Sequence, residues 1–312
     1  MLRTACAAAL MCVMASSVEA RWLKGNTHTH TLRSDGDAPP ESVVRWYRDH
    51  GYDFLVITDH DQITTLDGGG LLLIPGEEVT DRLPKKPLHV CALGLKEVVK
   101  PQGGATPVEV LQHDVDAVRA AGGVPVINHP NFGWAFGAEE LQQLERVSLL
   151  EVASGHPIVN MDGPPSVESM WDALLMKGKR VYGVGVDDAH HYGLEPPKGE
   201  LMARPGQAWI VVQAEKLAAA DILAALERGD FYASTGPALE TYDVSKESIK
   251  ITIKPAGQTR YRVQFLSRGK VLQETVGVAA TYRIRGDEGY VRAKILDSNG
   301  KAAWMQPVTV AR

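Results

Sequence analysis

The sequence predicts an α/β fold followed by a small all-β domain, and two patterns support this division. Short apolar segments alternate with helical patterns over roughly the first 240 of the 312 residues. Continuous apolar strands alternating with helices are typical of a parallel sheet covered by helices, so we expect an open α/β sheet or a barrel there. After residue 240, apolar and polar residues alternate between turn signals such as Ser298-Asn299-Gly300. This pattern predicts a sandwich-like domain at 241–312.

The elements of the α/β part follow from apolar runs and from helix boundary residues. Proline near the start and glycine near the end of a helical pattern predict four helices, at 40–50, 106–121, 166–178 and 218–229. Eight apolar, β-rich runs predict strands at 22–29, 53–58, 71–75, 88–95, 124–128, 148–153, 180–186 and 208–213.

The first twenty residues predict a Sec-type signal peptide. Arg3 precedes an apolar run at 5–15, and small residues then lead to Ala20, after which we expect cleavage. The run is too short for a permanent membrane span, and the alternative interpretation is a buried N-terminal helix. We therefore expect a periplasmic or secreted protein of residues 21–312. That mature chain keeps only Cys91 and has no internal disulfide.

The composition limits the classes of partner. Apolar residues make up 44% of the chain and charged residues 23%, as in an ordinary globular protein. The net charge of -5 gives no reason to expect a basic surface for nucleic acid. We expect a small-molecule partner, and the oligomeric state is left open.

Residues that can bind metals recur where the predicted strands end. In α/β barrels and open sheets the functional site lies at the carboxyl ends of the strands. A single histidine there is most often an ordinary loop residue. Many titratable groups packed together would cost several kcal/mol each in desolvation unless a cation lay between them. The pattern therefore predicts a metal centre built from His28, His30, Asp35, Asp59, His60, Glu77, Glu78, His89, His129, Asp187, Asp188 and His190.

The order of these motifs resembles the PHP (polymerase and histidinol phosphatase) domain over residues 21–240. The motifs are H-T-H at 28–30, S-D-G at 34–36, I-T-D-H-D at 57–61, P-G-E-E at 75–78, L-H-V-C-A-L-G at 88–94, N-H-P at 128–130 and D-A-H at 188–190. The resemblance implies a distorted (β/α)7 barrel that holds two or three divalent metal ions. R-G-D-F-Y-A-S-T-G-P-A-L at 228–239, with the β domain after it, resembles an exported branch of the family that includes carbaryl hydrolase.

Carried over by motif, the resemblance implies three ligand groups, and the first two of them share Glu78 as a bridge. It also implies that Asp59, Glu77 and Asp187 orient ligands. Nitrogen and oxygen ligands suit Zn, Mn or Fe. The implied groups are His28, His30, Glu78 and Asp188 for the first metal, Glu78, His89 and His129 for the second, and Asp35, His60 and His190 for the third.

The expected function is hydrolysis of a small organophosphate mono- or diester. A metal-bound hydroxide held by Glu78, His28, His30 and His129 would attack phosphorus. Two alternatives remain open: a carboxylic or carbamic ester hydrolase on the same scaffold, and a non-catalytic metal-carrying binding module. Arg33, Lys198, Arg204 and His191 are candidates for substrate binding, each with a solvated loop position as the alternative. Trp134 and Phe136 could stack on a substrate ring.

Overall fold

The computed structural model describes residues 20–159, 163–193 and 201–310. Residues 1–19, which form nearly all of the predicted leader, lie outside the described residues, so the signal peptide stays a prediction. Within the described ranges no helix is both long and apolar enough to span a bilayer.

The described helices and strands confirm the four predicted helices and the eight predicted strands to within a few residues. The helices are α1 (Pro40–Asp49), α2 (Pro107–Ala120), α3 (Ala138–Gln143), α4 (Val167–Met176) and α5 (Ala219–Arg228). The strands are β1 (Arg21–Asn26), β2 (Phe54–Leu55), β3 (Leu72–Leu73), β4 (Gly76–Leu83), β5 (Lys86–Leu93), β6 (Val124–Ile127), β7 (Leu149–Ser154), β8 (Tyr182–Val186), β9 (Trp209–Ala214), β10 (Phe231–Ser234), β11 (Leu239–Val244), β12 (Ser248–Ile253), β13 (Tyr261–Ser267), β14 (Lys270–Val276), β15 (Ala279–Arg283), β16 (Tyr290–Asp297), β17 (Ala302–Met305) and β18 (Val308–Thr309).

Local chemistry explains where the helices begin and end. The Thr106 hydroxyl accepts from Glu109 N at the start of α2, and the Ser166 hydroxyl accepts from Ser169 N at the start of α4. Gly229 ends α5 with a φ of 80°, a left-handed conformation that glycine adopts without a steric penalty. Side-chain caps thus fix the starts of α2 and α4, and a glycine fixes the end of α5.

The strands form three sheets among the described residues. One has the order β4-β5-β6-β7-β8, and a second has the order β11-β12-β15. The largest has the order β14-β13-β16-β17-β10-β9-β1-β2-β3, with β18 paired to β16. The α/β class is therefore present, with more strand and fewer helices than a regular α/β barrel has.

The expected (β/α)7 barrel is not present as one closed sheet in the described chain. β1, β2 and β3 pair in parallel, as do β6, β7 and β8, but β5 is antiparallel to both β4 and β6. The β4–β5 pair is a hairpin joined by a short turn, which forces the antiparallel direction. Two isolated bridges, Thr29 to Ala189 and His60 to Glu78, connect the first sheet with the strands around β1.

The C-terminal strands form the predicted all-β arrangement. The β11-β12-β15 sheet shares an apolar core with β13, β16 and β17, including Ile251, Phe265 and Tyr282. β17 also pairs with β10, so the large sheet continues from this module into the α/β part. The division at residue 240 stays a prediction, since β11 itself begins at Leu239.

Candidate metal centre

The structure places the nine predicted ligands at one end of the sheets, beside the two isolated bridges. The chain reaches this place from both sheets, so residues far apart in sequence become neighbours. The nine are His28 and His30 after β1, Asp35 in the next loop, His60 beyond β2, Glu78 in β4, His89 in β5, His129 after β6, and Asp188 and His190 after β8.

The first group is compact and buried. Nε2 of His28 and Nε2 of His30 lie 3.1 Å apart. Each nitrogen is 3.4 Å from Oε2 of Glu78 and 3.3 Å from Oδ1 of Asp188. His28, His30 and Asp188 each offer a ligand atom, and these three atoms lie within 4.8 Å of one another, close enough to share one metal ion.

Glu151 determines which nitrogen of His28 faces this group. Its Oε1 accepts from Nδ1 of His28 at 2.6 Å, so Nε2 of the neutral ring directs its lone pair at Glu78 and Asp188. A lone pair and carboxylate oxygens at this distance repel unless a proton or cation lies between them. His28 and Glu151 have no exposed surface. These residues therefore fit a divalent metal ion.

The pKa shifts of His28 and Glu78 agree with a site for positive charge, whereas burial lowers the pKa of His30 to about 4 and keeps that ring neutral. Burial lowers the pKa of His28, but the surrounding negative groups, Asp188 foremost, hold it well above its ordinary value. Burial raises the pKa of Glu78, but the charges of His28 and His89 hold it well below its ordinary value. The arrangement thus stabilises carboxylates around a central cation.

Glu78 also faces a second group. Its Oε1 lies 3.0 Å from Nδ1 of His89 and 3.3 Å from Nε2 of His129, whereas Oε2 faces His28 and His30. Nδ2 of Asn128 donates to the same Oε1 at 2.6 Å. One carboxylate therefore turns an oxygen to each group, as a bridging ligand would.

The third group lies at the mouth of the centre, because the Asp35 side chain is 53% exposed. Asp35 Oδ1 is 3.3 Å from Nε2 of His190 and 3.4 Å from Nδ1 of His30. Asp35 Oδ2 is 3.4 Å from Nε2 of His60. Nδ1 of His190 bonds the Asp188 carbonyl at 2.9 Å, which directs Nε2 towards Asp35. All three predicted groups are thus assembled, while their metal-binding role stays a prediction.

Asp59 organises the loop that carries Asp35. Its carboxylate accepts from Thr31 N at 2.7 Å, from the Thr31 hydroxyl at 2.8 Å and from the Ser34 hydroxyl at 2.9 Å. The Ser34 hydroxyl also lies 3.3 Å from Nδ1 of His30. Asp59 therefore acts on the ligands through this loop.

Glu77 and Asp187 are placed differently from the expectation that they orient ligands. Alternation along β4 turns Glu77 away from Glu78, and its Oε1 accepts from Val99 N at 2.6 Å. Asp187 accepts from Tyr47 OH at 2.8 Å and from Gly206 N at 2.8 Å, which anchors the segment before β9. Both carboxylates support backbone near the centre and have no described hydrogen bond to a predicted ligand.

Sequence reasoning missed three side chains that hydrogen-bond the predicted ligands and hold them in place, namely Glu151, Asn128 and Thr80. Glu151 also accepts from His129 N at 2.9 Å, so it fixes two ligand segments. Asn128 holds Glu78, and the Thr80 hydroxyl lies 2.5 Å from Nδ1 of His60. The available signal was a lone carboxylate in the apolar strand S-L-L-E-V-A at 148–153.

A cavity of about 600 Å³ opens above the ligands. Of the predicted substrate contacts, His191 lines it, whereas neither Arg33 nor Arg204 is among its described lining residues, and Lys198 lies outside the described residues. Trp134 is exposed away from the cavity lining and Phe136 is buried in the core, so neither of them stacks there as expected. The described lining is Asp35, His60, Glu78, His89, His129, Phe132, His156, Ile158, Val159, Asp188, His190, His191 and Leu201.

Comparison with known proteins gives a likeness in fold. No protein-family model matches the chain, and no curated protein matches it. A two-domain protein from Bacteroides vulgatus that contains a predicted PHP-like metal-dependent phosphoesterase superposes with a TM-score of 0.53. The match covers 94% of this chain and 96% of that one at 17% identity. The chain therefore shares that protein's fold, in agreement with the motif resemblance, while the carbaryl hydrolase branch stays a prediction.

Two other structures are similar over a smaller part of the chain. An amidohydrolase from Chromobacterium violaceum, with bound sulfate and no metal, is 18% identical with a TM-score of 0.38, covering 54% of this chain and 88% of that one. A candidate metal-dependent phosphoesterase from Bifidobacterium adolescentis is 18% identical with a TM-score of 0.39, covering 58% and 92%. These likenesses are too distant to support an argument about function.

Proposed function

We propose that the protein is a metal-dependent phosphoesterase acting on a small organophosphate mono- or diester. The observation that carries this proposal is the orientation of Glu78, whose two oxygens face two separate ligand groups. Two cations bridged by one carboxylate form the arrangement that many phosphoester hydrolases use.

The chain's own residues would divide the work as follows. Bound Zn, Mn or Fe would lower the pKa of a water molecule and neutralise charge on phosphate oxygens. Glu78 would keep the first two sites at a fixed separation, and Glu151 would hold His28 in the ligand-competent tautomer. Asp35, half-exposed at the mouth, would complete a third site on the side from which substrate enters.

A second candidate is hydrolysis of a carboxylic or carbamic ester. Phosphate sites usually add arginine or lysine beside the metals, and the described lining of the cavity contains neither. Metal-activated water attacks a carbonyl as well as phosphorus. The lack of arginine and lysine in the described lining therefore favours the carboxylic or carbamic ester hydrolase, and the same assay tests it.

The test is an assay of residues 21–312 loaded separately with Mn and Zn. The substrates are p-nitrophenyl phosphate, bis-p-nitrophenyl phosphate and p-nitrophenyl acetate. His129→Ala removes a predicted ligand, and His113→Ala, an exposed histidine of α2, is the matched control. We expect phosphate-ester turnover that disappears in His129→Ala and persists in His113→Ala.

Other outcomes of this assay separate the alternatives. Metal-dependent turnover of the acetate alone would support the carboxylic or carbamic ester hydrolase and overturn the phosphoesterase. Metal binding without turnover of any ester would support the non-catalytic binding module. The ratio of monoester to diester rates identifies the kind of phosphoesterase.

We also propose that the protein acts outside the cytoplasm, on the basis of the leader-like residues 1–20. Expression of the full chain in a Gram-negative host should give a periplasmic protein whose N-terminal residue is Arg21. Recovery of the intact N-terminus in the cytoplasm would contradict this.

A further inference from the structure

The cavity has an apolar wall in addition to the predicted ligands. Phe132, Ile158, Val159 and Leu201 line it, and of these Ile158 is 50% exposed and Leu201 64% exposed. A single exposed apolar side chain is ordinary on a protein surface. Two large ones on the rim of the same cavity, above a buried polar centre, form a surface suited to an apolar ligand.

The apolar wall begins beside the predicted metal ligands. The Phe132 ring meets the His129 ring edge-on with centroids 5.4 Å apart, and the His89 ring with centroids 6.4 Å apart. An ester held at the second ligand group would therefore place its organic group against Phe132, in the cavity that Ile158 and Leu201 also line. A cavity of about 600 Å³ has room for such a group.

The charged residues of the cavity lining also favour an uncharged organic group. Its described lining contains no arginine or lysine, and Asp35, Glu78 and Asp188 contribute carboxylates. Bound metal ions would neutralise the reacting phosphoryl group, but a second anionic group farther out would meet no described cation. His156 and His191 are the polar lining side chains beyond the nine predicted ligands.

From this wall we infer that the site selects esters whose organic group is bulky, apolar and uncharged, with Ile158 and Leu201 as specificity-determining residues. The ester hydrolysis in this inference rests on the proposed function. The preference for an apolar organic group rests only on the apolar wall. It separates this protein from an enzyme for nucleotides, sugar bisphosphates or other polyanions.

The kinetic test compares 3-phenylpropyl phosphate, propyl phosphate and propane-1,3-diyl bisphosphate. The first two release primary alcohols of similar acidity, so their intrinsic reactivities match and the ring is the variable. Burial of a phenyl ring predicts a kcat/KM at least about tenfold higher for the phenylpropyl ester than for the propyl ester. The bisphosphate should be the poorest of the three.

Variants locate the selectivity on the wall. Ile158→Ser with Leu201→Ser should lower the preference for the phenylpropyl ester about tenfold, mainly through KM. Both positions are exposed, and each single variant should show part of the effect. Val276→Ser, which changes a 72% exposed valine on β14, is the matched control and should keep the preference. An unchanged preference in the double variant would overturn the inference.

A binding measurement keeps this inference separate from the proposed reaction. Calorimetry measures the affinities of 3-phenylpropylphosphonate and propylphosphonate, which lack a hydrolysable ester bond. The difference between the two affinities gives the contribution of the apolar wall without any reaction. Tighter binding of the phenylpropyl ligand, lost in the double variant, supports the inference even if no phosphate ester is turned over. Equal binding of the two phosphonates, or turnover that favours the propyl ester or the bisphosphate, overturns it.

Discussion

Glu151 is a fully buried carboxylate in a strand whose neighbours are apolar. An isolated buried charge is costly, but here one oxygen accepts from His28 Nδ1 and the other from His129 N. A carboxylate behind a ligating imidazole fixes its tautomer and raises its basicity, and such partners typically change metal affinity 10- to 100-fold. Glu151 therefore holds two of the predicted ligands, His28 and His129, in place at the same time.

We expect Glu151→Gln to weaken metal binding by about 10- to 100-fold while the fold is kept. The amide removes the negative charge behind His28, and its single oxygen can accept from His28 Nδ1 or from His129 N but not from both. Competition with a chromogenic chelator measures the affinity, and circular dichroism checks the fold. Glu240→Gln, at an exposed carboxylate of β11, is the control. Equal affinities of the variant and the wild-type protein would exclude this role of Glu151.

At the same scale, the sequence located the residues that the structure brings together better than it located the side chains that hold them in place. The motif spacing chose Glu78 over Glu77 and Asp188 over Asp187, and the structure turns Glu78 and Asp188 into the centre. Glu151 was missed because a strand sequence does not show which distant histidine lies behind it. Contacts between residues 123 positions apart, as for His28 and Glu151, depend on the complete fold.

At the scale of the elements, hydrogen bonds to Asp59 fix the conformation of the turn after β1. The carboxylate takes two bonds from Thr31 and one from Ser34, and it is fully buried. Asp35 follows directly in this turn. The exposed third group is thus held by a buried anchor, whereas the first group consists of Glu78 of β4 and of residues that directly follow β1 and β8.

We predict that Asp59→Ala removes the cation of the third group and keeps that of the first. The loop would lose its anchor, so Asp35 would no longer stay near His60 and His190. Metal content per chain, measured by mass spectrometry after dialysis, should fall by about one ion relative to wild type, as the ligand grouping requires. Asp67→Ala, at an exposed loop carboxylate, should retain the full content. Loss of all metal would show instead that Asp59 supports the whole centre.

Helix α2 carries a buried carboxylate that should make stability depend on pH. Asp114 accepts from Gln102 N at 2.9 Å, and its other oxygen has no described hydrogen-bond partner. Burial raises its pKa from the ordinary 3.8 to about 7. Because the folded pKa exceeds the unfolded one, ionisation costs stability progressively as pH rises from about 4 to about 7.

Asp114→Asn should therefore stabilise the protein at pH 8 by about 2–4 kcal/mol relative to wild type. Asparagine keeps the acceptor for Gln102 N and carries no charge. The gain should be small near pH 4, where Asp114 is protonated in the folded protein and the ordinary pKa of 3.8 leaves it only partly ionised in the unfolded chain. Urea unfolding of both proteins at pH 4, 6 and 8 gives the free energies. A difference that does not change with pH would contradict the raised pKa.

The sequence predicted where most elements lie but not the direction in which they pair. Apolar runs located β1, β5 and β9, yet an apolar strand reads the same in a parallel and in an antiparallel sheet. β4, at G-E-E-V-T-D-R-L, lies outside the predicted strands because its polar residues hide the strand pattern. The antiparallel β4–β5 hairpin is the main departure from the regular barrel that the resemblance implied.

Across the whole molecule, the α/β part and the C-terminal strands are joined by more than the continuous sheet. Arg292 of β16 donates through Nε and Nη2 to Asp172 of α4 at 2.8 and 2.7 Å, and Nη2 also pairs with Glu168 at 2.9 Å. Tyr290 OH donates to the same Asp172 at 2.8 Å. Arg292 is 1% exposed, so this ion pair is shielded from solvent.

Removal of one partner from a buried ion pair leaves an uncompensated charge, which typically costs 3–5 kcal/mol. Glu168 still faces Arg292 at 2.9 Å after Asp172→Asn, so the free energy of unfolding should fall by less than that, by about 1.5–3 kcal/mol. Glu274→Gln breaks the exposed pair with Arg262 and should change it by less than about 1 kcal/mol. Both variants change one carboxylate to an amide, so the contrast isolates burial.

The same variants show whether the two parts unfold together. In the wild-type protein the continuous sheet and the buried ion pair predict a single cooperative transition, with the same midpoint by tryptophan fluorescence and by far-UV circular dichroism. If Asp172→Asn weakens the junction, the two probes should separate, because the C-terminal strands would then lose structure at a different urea concentration. Coincident probes together with a loss below 1 kcal/mol would mean that the sheet pairing of β10 with β17 joins the two parts without help from the Arg292 pair.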